Sequence, residues 1–448
     1  MTIEAVYRMK FTKLSQIGEC LQLKVEEKEI AGFCFDSREV KKGDLFFALK
    51  GAHFDAHGFL KEVVSRGAAA AVVDASYLGE NFGLPLLKVP DVVEVLHKLA
   101  KAVQAMRKQR IVAVTGSVGK TTTKEFIATL LSQKYTVSKT PGNSNSQVAF
   151  PTAILNANGK EEFFIAEMAM SAPGQIRKLV EIAPPEIAVV TKIGHANIEY
   201  FVDGFEGIAA AKAEILFHPK TAHAVLNRQV LSYRAFQKEI PAKKIIFAVD
   251  PEQGDYVLEE GWSIKEGKTS SRSFRLPFAA THLCENFIAA ASVARILGLS
   301  WEEIISGAHH LKTIDRRFEK IERNGFVIIN DCYNASPESM EAALSNLPAP
   351  SFGGKTIAVF GEMVDLGTFS EQSHRDVAQF ASQKVDHFLC YGKGCLPMFD
   401  VFHREGKPAE FFRDLKQLKA TLFEISKPGD VVLVKGSRSN KLWQILEA

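Results

Sequence analysis

The chain has 448 residues, 46% of them hydrophobic and 24% charged, with a formal net charge of +3. That balance fits a globular enzyme of about three domains and excludes a disordered chain. No basic run marks a nucleic-acid surface, no apolar stretch is long enough for a bilayer and no signal-peptide pattern opens the chain. The expectation is a monomeric cytoplasmic enzyme with no nucleic-acid partner and no membrane insertion. Met9 offers an alternative start. The six cysteines (Cys20, Cys34, Cys284, Cys332, Cys390 and Cys395) form no C-x-x-C pair, so reduced thiols and no zinc are expected.

The first hundred residues mix short strands and helices, with no internal repeat. Asp36–Ser37–Arg38 is a polar turn whose Ser-Arg pair suits a diphosphate, because arginine binds it bidentately. The Lys50–His57 run reads as another polar turn, and Gly67–Asp74 as a helix end entering a buried strand. Asp91–Arg110 carries Val92, Leu96, Leu99 and Val103 at helical spacing. It ends in the basic cluster Arg107–Lys108–Gln109–Arg110, a domain boundary with cations favourable at a helix C-terminus.

Ile111–Val114 is an apolar run that ends in T-G-S-V-G-K-T-T-T over Thr115–Thr123. Gly116, Ser117, Val118 and Gly119 form a turn whose backbone N–H groups can cradle phosphate, and the helix opened by Lys120–Thr121–Thr122 adds its positive dipole end. Lys120 reaches the β- and γ-phosphates, and the Thr121 hydroxyl can ligate Mg²⁺. The pattern departs from the general P-loop, with Val114 where the first glycine normally stands. Phe126, Ile127, Leu130 and Leu131 continue the helix.

Apolar runs at Phe163–Ala166, Ile187–Thr191, Ala222–Asn227 and Lys244–Val249 alternate with helical patterns, which predicts a mainly parallel α/β sheet. Thr140–Gln147 is a polar loop, explained by sugar or phosphate binding or by turn chemistry alone. Glu167 at a strand end beside the phosphate loop is placed to hold Mg²⁺. His195, after the next strand, can ligate a metal or serve structure only. Lys212 in Ala211–Ile215 reads as a helix-surface lysine. Cys284–Leu297 is a packed helix.

A third unit starts near Arg317, with strands at Phe326–Asn330, Thr356–Phe360, His387–Tyr391 and Val431–Val434 and helices at Pro337–Leu347 and Glu371–Ser382. Its ligands belong at the carboxyl ends of the strands. There Asp331 can accept from ribose hydroxyls, Tyr333 can pack on a base, and Ser336–Pro337 reads as a helix cap followed by its first residue.

Together these residues resemble the Mur ligases, the ATP-dependent amide ligases that build the peptidoglycan peptide. The resemblance spans nearly the whole chain. T-G-S-V-G-K-T-T-T matches the family's phosphate loop, which folylpolyglutamate synthases share. Asn330–Met340 (N-D-C-Y-N-A-S-P-E-S-M), Gly361–Gly367 (G-E-M-V-D-L-G), His374–Arg375, Gly429–Arg438 and Asp36–Gly51 look like the branch that joins D-alanyl-D-alanine to UDP-N-acetylmuramoyl-tripeptide. The resemblance implies three α/β domains. A small N-terminal nucleotide-sugar domain would cover residues 1–107, a central P-loop domain 108–315 and a C-terminal Rossmann-like domain 316–448. It implies ATP and Mg²⁺ as cofactors, with UDP-N-acetylmuramoyl-tripeptide and D-alanyl-D-alanine as the other substrates.

It also implies roles by position. Lys120, Glu167 and Lys212 would be catalytic. Gly116, Ser117, Val118, Gly119, Lys120, Thr121, Thr122, Asn286, Arg317 and Asp331 would bind ATP, with Asn286 on adenine. Thr121, Glu167, His195 and a carbamylated Lys212 would form the metal set. Ser37 and Arg38 would face UDP, and Asn145 would lie in a substrate loop. The chain departs from the family pattern at four places: Ala169 replaces a glycine, Ser146 and Leu283 replace asparagines, and Asn197 stands where histidine is usual, with His195 two residues earlier. Another Mur ligase or a folylpolyglutamate synthase-like ligase is the alternative, although the D-N-P motif of the diaminopimelate adder is absent. From a different class, a P-loop nucleotide switch would carry N-K-x-D, whereas Asn440–Lys441–Leu442–Trp443 lacks the aspartate.

Overall fold

A computed structural model describes residues 10–447 apart from 52, 53, 261, 272 and 352, so Met9 and two positions of the Lys50–His57 run lie outside the described residues. Three sheets follow one another along the chain. The first is parallel, in the order β1 (Gly32–Cys34), β2 (Asp44–Phe47), β3 (Ala70–Asp74), β4 (Leu86–Val89). Strands β2 and β3 are buried on both faces, as parallel strands covered by helices must be. The helix Val92–Ala105 closes this unit. Asp91 caps it by accepting from Val93 N at 2.7 Å and Glu94 N at 2.9 Å.

The basic cluster after that helix does more than complement its dipole. Arg107 is 7% exposed, and its guanidinium donates to Ile154 O at 2.9 Å and Ala157 O at 2.7 Å. It thereby satisfies carbonyls at the end of the helix Ala149–Asn156 in the second unit, and burial pulls its pKa down to about 10. Asn156 makes a second stitch, accepting from Phe33 N at 3.0 Å and donating to Phe33 O at 2.8 Å.

The second sheet has nine strands: β5 (Arg110–Thr115), β6 (Val137–Lys139), β7 (Phe163–Glu167), β8 (Ile187–Val190), β9 (His223–Asn227), β10 (Lys243–Val249), β11 (Tyr256–Leu258), β12 (Ile264–Glu266) and β13 (Thr269–Ser270). Their order is β13-β12-β11-β10-β9-β8-β5-β7-β6, parallel from β11 through β6, with β12 and β13 antiparallel at one edge. The β12–β13 ribbon is too short and polar to leave an apolar run in the sequence. Strand β5 lies between β8 and β7, where the winding changes direction, so the crevice for a ligand opens at its carboxyl end. The helix Lys120–Leu131 starts there and buries Phe126, Ile127, Leu130 and Leu131 beside Phe287 and Ile288 of the helix Thr281–Ile296.

The third sheet runs β14 (Glu319–Arg323), β15 (Phe326–Asp331), β19 (Val431–Lys435), β16 (Thr356–Gly361), β17 (His387–Tyr391), β18 (Ala409–Phe412). Only β14 is antiparallel. Its sequence, E-K-I-E-R, is charged on both sides of Ile321, with Lys320 and Glu322 exposed between half-buried neighbours, which marks an edge strand rather than the buried run that reveals the others. Pro337 opens the helix Pro337–Ser345 and Ser336 stands at its N-cap, both as expected. Ser339 Oγ accepts from Ser336 N at 2.9 Å, while the Ser336 hydroxyl has no partner among the described residues. Among the described residues no helix is long and apolar enough to cross a membrane, and the six cysteines are free.

Candidate active site

A cavity of about 290 Å³ opens at the carboxyl end of β5, between the second and third units. The phosphate loop, Asn143, Asn145, Glu167 and Asn286 line it from one side, and Arg317, Asp331, Tyr333, Ser336 and Glu338 from the other. The loop needs its glycines for space as well as dihedral freedom. Gly116 has φ +149°, and a Cβ there would come within 1.9 Å of Thr191 Oγ1. Gly119 has φ +86°, and a Cβ would meet Asn286 Oδ1 at 2.4 Å.

Two lysines share one carbonyl. Lys120 Nζ donates to Gly116 O at 2.8 Å and Ser117 O at 3.1 Å, and Lys212 Nζ donates to Gly116 O at 3.0 Å. Lys212 is 2% exposed, so the reading of it as a surface lysine was wrong; the Ala-rich segment around it packs inward. Burial, then the charge of Lys120, pushes the Lys212 pKa well below its ordinary value. Burial also lowers the Lys120 pKa, against Glu167 and with Arg317.

Glu167 is 1% exposed. Its Oε1 accepts from Asn145 Nδ2 at 2.7 Å, and its Oε2 has no hydrogen-bond partner among the described residues. Lys124, absent from the sequence-based candidates, sits 3.7 Å from Oε2 and donates to Thr140 O at 2.8 Å and Gly142 O at 2.6 Å. It lies one helical turn after Lys120, and that spacing was the available signal. Burial lowers its pKa, and Glu167 and Glu125 oppose the shift. An orphaned buried carboxylate oxygen beside the Thr121 hydroxyl's loop fits a hard divalent cation.

From the third unit, Arg317 Nη2 donates to Thr121 Oγ1 at 2.9 Å, and its guanidinium carbon lies 4.0 Å from the Tyr333 ring centroid. The Tyr333 ring therefore carries arginine. Asp331 Oδ1 accepts from Phe318 N at 3.0 Å, and Oδ2 from Lys435 Nζ at 2.6 Å. Lys435, 2% exposed, was also absent from the candidates. Asp331→Ala is expected to cost about 3–5 kcal/mol of stability by leaving a buried ammonium without its counter-charge. Thermal unfolding checks this, and an unchanged transition would show the pair to be dispensable.

Asn286 accepts from Thr123 Oγ1 at 3.2 Å, beside His282, Leu283, Asn227 and Phe247 on the cavity wall. Burial pushes the His282 pKa down to about 4, so its ring is neutral at pH 7. Lys192 and Glu285, which also line the wall, pair at 2.7 Å.

The remaining predicted residues lie elsewhere. His195 Nδ1 is 2.5 Å from Glu338 Oε1 and the residue does not line the cavity. Among the described residues no three His, Cys, Asp or Glu side chains gather as a metal cluster. In the first unit, Ser37 is buried with its hydroxyl 3.5 Å from Glu62 Oε2, and the exposed Arg38 folds back on Asp36, with Nε 2.8 Å from Oδ1. Within the Lys50–His57 run, His57 is structural: it binds Asp55 and accepts from Asp74 N at 3.0 Å.

The fold and cavity define a phosphate-loop enzyme built from three α/β units. The chain belongs to the Mur ligase family: the family's catalytic domain matches residues 29–104, its middle domain residues 114–294 and its glutamate ligase domain residues 316–438. The UDP-N-acetylmuramoyl-tripeptide–D-alanyl-D-alanine ligase of Bacillus subtilis (strain 168) is 32% identical, covering 94% of this chain and 93% of that protein. The crystal structure of MurF from Acinetobacter baumannii matches with a TM-score of 0.82 and 27% identity, covering 96% of this chain and 97% of that one. That of the MurF ligase from Thermotoga maritima, in complex with ADP, matches with a TM-score of 0.78 and 31% identity over 93% and 96%.

Proposed function

We infer that this chain is an ATP-dependent ligase that joins D-alanyl-D-alanine to UDP-N-acetylmuramoyl-tripeptide. The observation that carries the reading is the phosphate loop and Glu167 facing Arg317 and Asp331 across one cavity, in a chain whose full-length relatives carry that activity. A carboxylate is a poor electrophile because oxide leaves badly. Phosphorylating the tripeptide's terminal carboxylate gives an acyl phosphate, and the dipeptide amine then displaces phosphate through a tetrahedral intermediate. The chain's part is positioning and charge stabilisation.

Lys120 and the backbone N–H groups of the loop stabilise charge on the transferring phosphoryl. Arg317 reaches the same phosphates from the third domain, so domain docking completes the site and excludes water from the acyl phosphate. Asn286 holds the base and Asp331 the ribose. Thr121, Glu167 and a carbamylated Lys212 would hold Mg²⁺, which when bound neutralises charge gathering on phosphate and carboxylate. Glu167 supplies the unpartnered oxygen for it. Ser37 and Arg38 face UDP once Arg38 leaves Asp36, and Asn145 orients the tripeptide end. These roles divide the chain at 1–107, 108–315 and 316–448, and a monomer in the cytoplasm is sufficient for them. Phosphate release tests the reading: it is expected only with ATP, the UDP-sugar tripeptide and the dipeptide all present, and release from ATP alone would overturn it.

A further inference from the structure

Two residues that depart from the family pattern, His195 and Asn197, are used in ways the sequence does not announce. Asn197 holds φ +67° and donates from Nδ2 to Met170 O at 3.0 Å, which anchors the loop after β8. His195 points instead to the third domain. Its backbone N and its Nδ1 both meet Glu338 Oε1, at 2.9 and 2.5 Å, across 143 residues of sequence. Glu338 is the second residue of the helix Pro337–Ser345, and its carboxylate lies against Gly194. A Cβ at Gly194 would sit 2.7 Å from the carboxyl carbon, so the seat exists only because residue 194 has no side chain.

That seat is joined directly to the phosphate loop. Gly194 N donates to Ser117 Oγ at 2.9 Å, the same hydroxyl lies 3.0 Å from Gly194 O, and Ser117 N donates to Lys192 O at 2.6 Å. Further along the seam, Gly367 of the third domain packs against Glu199, where a Cβ would come within 2.7 Å of Glu199 Cβ. The contact differs from an exposed ion pair, which contributes little. One oxygen takes two donors, and the other is shut from solvent with no hydrogen-bond partner among the described residues.

We propose that Glu338 and His195 form an interdomain latch that seats the third domain on the Gly194–Ser117 side of the phosphate loop, which makes Glu338 a positioning residue for phosphoryl transfer. Arg317–Thr121 is the matching contact on the other side of the loop. The pair can form only where the two domains meet, so it belongs to the docked arrangement, and substrates enter when the pair opens. What the latch positions rests on the ligase reading; the docking itself does not.

Small-angle scattering of the full-length chain, saturated with a non-hydrolysable ATP analogue and Mg²⁺, separates the two. Glu338→Ala and His195→Ala are each expected to enlarge the radius of gyration, and the double variant to add nothing further. Gly194→Ala should give the same enlargement with both partners intact, because its methyl group displaces the carboxylate. Glu338→Gln keeps an acceptor for His195 N and should fall between wild type and Glu338→Ala. In turnover, Glu338→Ala should lower kcat/KM about tenfold or more, as expected for losing a charge-assisted bond, with Glu338→Gln recovering part of the loss. An unchanged radius in Glu338→Ala and Gly194→Ala, or additive effects in the double variant, would overturn the latch. Wild-type chain that releases no phosphate with all three substrates, while the scattering results hold, would overturn the ligase reading and leave the latch standing.

Discussion

Lys120→Ala is expected to lower kcat by about 10²–10³ with the fold intact, the loss typical of removing one donor from charge that grows in the transition state. The fold should survive because, among the described residues, Lys120 Nζ bonds only the loop carbonyls Gly116 O and Ser117 O. Gly116 O keeps a donor in Lys212 at 3.0 Å. Thermal unfolding and steady-state phosphate release on the same preparation check both halves. Turnover near wild type in a well-folded variant would remove Lys120 from the phosphate site.

Lys212→Ala is expected to lower activity by about 10²-fold or more, with part of the loss recovered by added formate or acetate. Carbamylation requires a neutral amine, which adds to CO₂ and releases a proton. Burial, then the charge of Lys120, holds Lys212 well below its ordinary pKa, which favours the neutral amine that the addition needs. The new carboxylate would turn from Gly116 O toward the cation beside Glu167. Wild type equilibrated with ¹³CO₂ should show a carbamate carbon that Lys212→Ala lacks. A fully active variant, or a defect that no carboxylate relieves, would return Lys212 to a structural hydrogen bond on the loop.

These two residues also show where the sequence was readable. Lys120 stood in a motif whose mechanics are local, because an apolar strand, a glycine turn and a helix start need no distant partner. Strands β7, β8 and β16 were likewise visible as apolar runs, since parallel strands are buried on both faces. Lys212 read as a surface residue because its burial comes from packing against the loop nearly a hundred positions earlier. Lys435, whose role is to neutralise Asp331, and Glu338, seated on Gly194, depend on the third domain meeting its own strands or the central domain. Strand β14 was missed because four of its five residues are charged, which a half-exposed edge position allows. Arg107 was read as a helix-end cation, and only the fold shows the carbonyls of Ile154 and Ala157 waiting for it.

The central claim is the amide bond formed at the expense of ATP, and the product tests it most directly. The full-length chain should be incubated with ATP, Mg²⁺, D-alanyl-D-alanine and each UDP-N-acetylmuramoyl-tripeptide, with diaminopimelate or lysine as the third residue, and the mixture weighed by mass spectrometry. The account predicts one new UDP-linked species heavier by the dipeptide less one water, formed in step with ADP and phosphate. ATP consumed without that mass appearing from either tripeptide would contradict it.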